Sequence, residues 1–231
     1  MTPPAAGNPV DEVMAKASRA LARRKYFEAE RLALQALQNA RDAGDFERMA
    51  RIALPLLEAR RQRLQQALDA KKIAIIDQAF DDETVKLRRG CYLVQPPLVG
   101  ADARRLRLAG LRHEVPIAVL CREPLTQLRQ CPVVAMCSGL TIRVRIDAPA
   151  KPSNPGMAWF VGALEALGDS ALESIDPKVD ADRRVEAILC RLDAHPDHEE
   201  LHQALIEACR EASKVKSDRQ AAAAARAKCQ S

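Results

Sequence analysis

His198 and His202 are the residues whose types and spacing come nearest to a metal site in this chain of 231 residues. Four residues apart on a helix, two imidazole rings share one face and can chelate a transition-metal ion. Glu199 lies between them, but no third ligand stands at a suitable spacing. The alternative is a solvated, mixed-charge helix start, which we favour. We therefore predict no metal site and no cofactor.

The seven cysteines could supply thiol chemistry or metal ligands. None forms a Cys-x-x-Cys pair, so we expect free thiols in a reduced core rather than a structural zinc site. Cys121 is followed by Arg122 at a strand end, where a basic neighbour can lower a thiol pKa and create a nucleophile. The alternative is a buried strand cysteine. Since phosphate-loop, GxSxG and HExxH motifs are missing, we assign no catalytic residue.

Arginine is concentrated in the middle of the chain, where residues 71–149 carry 13 basic and 8 acidic residues. A planar guanidinium suits carboxylate or phosphate recognition, so converging arginines would form an anion-binding patch. The alternative is a solvated face with salt bridges. Nucleic-acid binding fits this patch less well, because base stacking requires aromatic side chains, and these are few in the chain, with Tyr92 near the arginines. The candidate anion-binding residues are Arg88, Arg89, Arg104, Arg105, Arg107, Arg143 and Arg145.

The sequence patterns around these residues predict an α+β fold. It consists of an N-terminal helical hairpin or bundle, a small β-rich middle domain and C-terminal helices. Helical periodicity continues through Pro55, which should kink or split its helix. Gly44 is a predicted helix stop, and Asp45 a predicted cap of the next helix. Predicted helices cover 11–24, 27–43, 46–70, 100–114, 157–175 and 180–194, with a last helix after Pro196.

Short β-branched runs predict the strands, and turn residues bound each of them. The run at 71–76 is either a strand or the tail of a helix, and "CSG" at 137–139 predicts a hairpin turn. The other predicted strands are 91–94, 116–121, 132–136 and 140–146. We divide the chain into a disordered segment 1–9, a helical region 10–70, an α+β domain 71–149, a C-terminal helical region 150–213 and a flexible tail 214–231.

The stretch "KYFEAERLALQAL" (25–37) resembles the second helix of a tetratricopeptide repeat. An aromatic residue follows the turn, small residues stand seven apart, and a small residue occupies the matching place in the preceding helix. These helical-hairpin residues are Ala17, Tyr26, Ala29 and Ala36. Lys16 and Arg41 depart from the family pattern. The resemblance covers about residues 11–44, one unit, whereas a solenoid needs about three.

Small residues at a helix crossing explain this pattern in two ways. The hairpin packs on its neighbours or dimerises, or it lines a groove that binds a partner. We predict a non-enzymatic protein-interaction or adaptor protein of unknown partner. The first alternative is a basic module that binds nucleic acid or another polyanion weakly, and the next is an enzyme of unfamiliar type. A second copy of the chain is a further partner to consider. The polar N-terminus and the lack of an apolar run of roughly 18 residues predict a cytoplasmic protein without membrane contact.

Overall fold

The structure is a computed structural model that describes residues 9–229, over which the chain folds as an α+β protein with seven helices and five strands. The helices are α1 (Pro9–Ala22), α2 (Tyr26–Asp42), α3 (Phe46–Leu68), α4 (Gly100–Arg112), α5 (Met157–Glu173), α6 (Ala181–Ala194) and α7 (Glu199–Cys229). The strands are β1 (Ile73–Ile76), β2 (Gly90–Val94), β3 (Ile117–Arg122), β4 (Gln130–Cys137) and β5 (Leu140–Asp147).

The chain divides into two compact units, each built from separate stretches. Unit 1 comprises the described residues up to Ala59, residues 176–187 and those from His202 onward. Unit 2 comprises residues 60–175 and 188–201. Helices α3, α6 and α7 therefore contribute residues to both units. This grouping differs from the consecutive domains predicted, because composition changes along the chain do not report which distant segments pack together.

In unit 1, α1 and α2 pack as a helical hairpin around small residues. Ala17, Ala29 and Ala36 are fully buried, and Ala29 forms an apolar cluster with Ala20 and Ala59. Methyl side chains leave no bulk between these helices, so their backbones can approach closely. Tyr26 in contrast remains partly exposed at the start of α2, so the alanines supply the hairpin core.

The connection between α2 and α3 contains the predicted glycine helix stop and aspartate helix cap. Gly44 takes a left-handed φ of 60°, which ends α2 at a position that favours glycine. The Asp45 carboxylate accepts a hydrogen bond of 3.0 Å from the backbone N–H of Arg48, so it caps α3 as predicted. The Arg48 guanidinium also lies 3.2 Å from the carboxylate of Asp11 in α1. The helix α3 continues through Pro55 and is not split.

Unit 2 contains one mixed sheet with the strand order β1-β2-β3-β4-β5. The first three strands are parallel and the last two are antiparallel to their neighbours. The run at 71–76 thus supplies a strand, β1, rather than a helix tail. Helix α4 connects the parallel strands β2 and β3, and Gly139 at a φ of 92° lies in the predicted β4–β5 turn.

The strand β2, which lies between β1 and β3, is buried along its whole length, as expected for a parallel strand covered on both faces. Tyr92 and Val94 contribute to a core cluster with Leu106 of α4 and Val134 of β4. Cys91 points the other way, with its Sγ 3.9 Å from the carbonyl oxygen of Ala67 at the end of α3.

Helix α7 runs to Cys229, whereas a flexible tail was predicted from residue 214. Its composition explains the difference, since an alanine-rich stretch has high helix propensity. At the other end, α1 begins at Pro9, and proline suits the first helical position because that N–H has no partner within the helix. The rest of the predicted disordered segment, residues 1–8, lies outside the described residues.

Candidate functional site

Unit 1 contains a surface groove of about 580 Å³, which we call the α6–α7 groove. The start of α6, the turn before it, the middle of α7 and the first residue of α3 form its walls. Its apolar side chains include Phe46, Val179 and Val215. The lining residues are Phe46, Pro177, Lys178, Val179, Asp180, Ala181, Asp182, Arg184, Glu211, Ala212, Val215, Lys216, Arg219 and Gln220.

Polar contacts hold the walls of the α6–α7 groove together. Arg184 of α6 forms an ion pair with Glu211 of α7. The Lys216 ammonium donates a hydrogen bond of 2.8 Å to the carbonyl oxygen of Gly44, which links α7 to the α2–α3 connection. Because Lys216 and the Arg184–Glu211 pair are engaged within the unit, the groove has a preformed frame.

Local sequence explains how the α6 wall is positioned. The Asp176 side chain accepts a hydrogen bond of 2.9 Å from the backbone N–H of Lys178, which makes an Asx-type turn. Helix α6 then begins at Ala181, and Ala181 and Val185 face the core of unit 1. The tight turn leaves Val179 and the lysine at the groove edge rather than in the core.

The α7 wall continues the apolar stripe of that helix. Leu205, Ala208 and Ala212 are buried at successive turns, and Val215 falls next on the same stripe. Val215 is nevertheless 38% exposed, because the groove opens beside it. An apolar residue exposed on the wall of a concave groove is a feature typical of binding surfaces.

The groove does not lie on the repeat-like hairpin. Neither α1 nor α2 contributes a lining residue, and the predicted packing residues Ala17, Ala29 and Ala36 are buried between helices. Arg41 of α2 donates a hydrogen bond of 2.9 Å to Glu186 of α6, so the chain's own helix covers this flank of the hairpin. The small residues of the hairpin therefore pack within unit 1.

The candidate anion-binding arginines of α4 are distributed over different acidic partners. The Arg105 Nε lies 3.2 Å from the Asp82 carboxylate. Arg104 and Arg107 are brought together at Asp193, the first 3.4 Å from its carboxylate and the second 2.6 Å from its carbonyl oxygen. Burial lowers the pKa of Arg107, but its ordinary value is high enough that the group keeps its charge.

The remaining candidates lie outside α4, on β5 and in the segment before β2. Arg143 on β5 donates a hydrogen bond of 2.7 Å to the Glu123 carboxylate. Arg88, Arg89 and Arg145 are exposed, the first two before β2 and the third on β5. In all, Arg104, Arg105, Arg107 and Arg143 have carboxylate or carbonyl partners within the protein.

Cys121 lies beside a cavity of about 20 Å³ that Arg107, His195 and Asp197 also line. That volume holds about one water molecule and no organic substrate. Burial, with a smaller effect of Glu123, raises the pKa of the Cys121 thiol to about 12. The thiol is therefore protonated at neutral pH, and the residue is a buried strand cysteine rather than an activated nucleophile.

The histidines near the start of α7 are buried, so the predicted solvated helix start is wrong. His198 is 3% exposed and His202 is not exposed at all. The His198 ring lies against Gly168, where a Cβ would come within 2.1 Å of its Cδ2, and its Nε2 lies 3.2 Å from the Asp169 carboxylate. Among the residues that the structure describes, no group of three or more His, Cys, Asp and Glu side chains could hold a metal ion.

The carboxyl edge of the parallel strands is a common ligand site in α/β sheets. Here the protein's own Arg122 occupies it. The guanidinium donates hydrogen bonds to Gln95 at 3.1 Å and to the carbonyl oxygen of Pro152 at 2.8 Å. These contacts tie the ends of β2 and β3 to the segment before α5.

The sequence predictions missed the groove residues because their types carry no catalytic signature. One signal was present, since the apolar spacing of α7 continues from Leu205 through Ala212 to Val215. That continuation indicated a helix beyond residue 213. It did not indicate a groove, which requires α6 and α3 to lie beside α7.

Comparison with known protein families, curated proteins and solved structures gives no significant match. No helix in the part of the chain that the structure describes is both long and apolar enough to cross a membrane.

Proposed function

We propose that this chain is a non-enzymatic protein-binding module, and that the α6–α7 groove holds a segment of the partner. The observation that carries this proposal is the groove itself: about 580 Å³ of concave surface, with Val215 exposed and Phe46 and Val179 partly exposed inside a frame of internal polar contacts. Preformed grooves lose little conformational freedom on binding. A cytoplasmic location and the tetratricopeptide-like character of the hairpin stay predictions.

The lining favours a short amphipathic segment as the bound part of the partner. Apolar side chains of such a segment would cover Val179 and Val215. Lys216 and Arg219 lie three residues apart on α7 and line the same wall, so acidic side chains flanking the apolar ones would complete the contact. Polyanion binding has less support, because four of the seven candidate arginines already have partners.

Selection of peptides from a phage-displayed random library on the immobilised full chain tests this proposal. We expect enriched sequences with apolar residues flanked by acidic ones. Binding should fall at least about tenfold for Val215→Glu, which places a charge in the groove and costs about 1.4 kcal/mol or more. The matched control is Leu128→Glu, an 83% exposed position in the β3–β4 connection of unit 2.

Two outcomes would contradict the proposal. The first is a selection that enriches no sequence above background. The second is a set of peptides that bind Val215→Glu and the wild type equally, which would place their site elsewhere. Circular dichroism of both variants establishes that a loss of binding is not a loss of fold.

A further inference from the structure

Unit 2 contains two thiols in direct contact. Cys137 Sγ, at the end of β4, lies 3.5 Å from Cys190 Sγ in α6, and also 3.4 Å from the carbonyl oxygen of Cys190. The two residues are separated by 53 positions in the sequence, so the fold rather than chain proximity brings them together. Neither the proposed binding function nor the core of the sheet requires this pair of sulfurs.

The contact is close to what a covalent bond needs. A disulfide has an S–S length of about 2.05 Å, so the sulfurs must approach each other by roughly 1.5 Å from their present 3.5 Å. Access differs between the partners: Cys137 is 5% exposed, whereas Cys190 is partly exposed. A small oxidant can therefore reach Cys190 first, with Cys137 beside it.

We propose that Cys137 and Cys190 form a reversible disulfide when the chain meets a small disulfide oxidant such as oxidised glutathione. The Cys190 thiolate attacks the oxidant, forms a mixed disulfide and releases one glutathione thiolate. The Cys137 thiolate then attacks Cys190 Sγ and releases the second. Two protein thiols lose two electrons and two protons, and one glutathione disulfide becomes two glutathione thiols.

The second step requires the Cys137 thiol to lose its proton. Burial, followed by the hydrogen bond with Cys190, raises the pKa of the Cys137 thiol to about 11. Only a small fraction of Cys137 is then thiolate, so disulfide closure should accelerate about tenfold for each unit of pH between pH 7 and 9. The product would covalently tie the end of β4 to α6, which also contributes residues to unit 1.

The test exposes the reduced full chain to oxidised glutathione, quenches with acid, alkylates the remaining thiols and maps the peptides by mass spectrometry. We expect a peptide pair joined through Cys137 and Cys190, a loss of two alkylatable thiols, and full reversal by dithiothreitol. The linked product should raise Tm, since a cross-link over about 50 residues restricts the unfolded chain.

Two variants make the result specific. Cys137→Ser should stop at one glutathione on Cys190, because the resolving thiol is gone. Cys121→Ser, a control in the same sheet, should still form the linked pair. The proposal is overturned if wild-type protein keeps both thiols, if it retains glutathione on Cys190 without closure, or if the linked pair involves other cysteines. The wild-type protein alone shows whether Cys137 and Cys190 become linked. The test therefore remains valid even if one of the variants fails to fold.

Discussion

Unit 1 and unit 2 both bury residues of reactive type, and they differ in the concave surface that each presents. Unit 2 buries Cys121, His195 and His198, and unit 1 buries His202 and Cys209. Unit 1 has the α6–α7 groove, whose lining among the described residues contains no cysteine or histidine and consists of Phe46, Gln220, and alanine, valine, proline and charged residues. The difference shows that reactive residue types mark packing positions in this chain, and that accessible concave surface lies where the sequence looks ordinary.

His195 shows why a buried histidine does not take part in acid–base chemistry at neutral pH. Desolvation, with a smaller effect of the neighbouring His198, lowers the pKa of His195 to about 3. The neutral ring can donate its Nε2–H to the carbonyl oxygen of Leu164, which lies 3.0 Å away. A base that stays neutral throughout the physiological range acts as a hydrogen-bonded core residue.

The largest change in stability that tests this comparison is expected at Gly168 in unit 2. A Cβ at this position would overlap the His198 ring and come within 2.7 Å of its Nδ1. We expect Gly168→Ala to lower the free energy of unfolding by about 3 kcal/mol, the cost of overpacking a filled core. Urea denaturation measures the change.

The control for Gly168→Ala lies on the same helix. A Cβ at Gly162 would meet no atom within 4 Å, so Gly162→Ala should raise stability by about 0.5–1 kcal/mol through helix propensity. Equal effects at the two glycines would show that the histidine is not packed against α5 as described, and would weaken the contrast between the units.

A smaller loss is expected in the hairpin of unit 1. Ala29 is fully buried and clusters with Ala20 and Ala59. Ala29→Leu should cost about 2 kcal/mol in urea denaturation, because added methylenes must separate the helices. Ala15→Leu, the same change at an exposed position of α1, should alter stability by less than about 0.5 kcal/mol. A tolerant Ala29 would mean that the hairpin face is open and available to a partner.

The last effect, comparable in size with that of Ala29→Leu over the range from pH 6.5 to 5, is a pH dependence of stability from unit 2. The pKa of His195 is about 3 in the folded protein against 6.5 for the unperturbed group. Between these values the unfolded chain binds a proton that the folded chain does not, so stability falls as pH falls below 6.5. The slope should approach about 1.4 kcal/mol per pH unit.

The measurement is Tm or urea stability between pH 7.5 and 5. His195→Gln keeps a donor for the Leu164 carbonyl oxygen and removes the titration, so its pH slope should be smaller than that of the wild type. Identical slopes in the two proteins would show that His195 is solvated and able to take up a proton, contrary to its assignment to the core.

Much of the secondary structure could be predicted because its causes are local. Gly44 ends a helix through its left-handed backbone, and Asp45 begins the next through one carboxylate–amide hydrogen bond. The alternating or continuous apolar runs of β2 to β5 likewise predict strands. The α+β class follows from this order of elements, whichever way they pack.

The positions of the side chains could not be predicted in the same way. The spacing of His198 from His202 is the same whether the His198 ring meets solvent, a metal ion or Gly168, and the placement of α5 decides among these. The arginines of α4 could converge or disperse, and the positions of Asp82 and Asp193 dispersed them. Each outcome depends on segments distant in sequence.

By itself, the sequence determined the class of fold, most helix and strand boundaries and the small residues of the hairpin core, because hydrophobic period, caps and turn residues act over a few positions. Tertiary structure alone decided the grouping of separate stretches into two units, the burial of the histidines, the contact of Cys137 with Cys190 and the α6–α7 groove. The physical reason is that burial, pKa and cavity shape are properties of neighbours in space, which the order of residues does not specify.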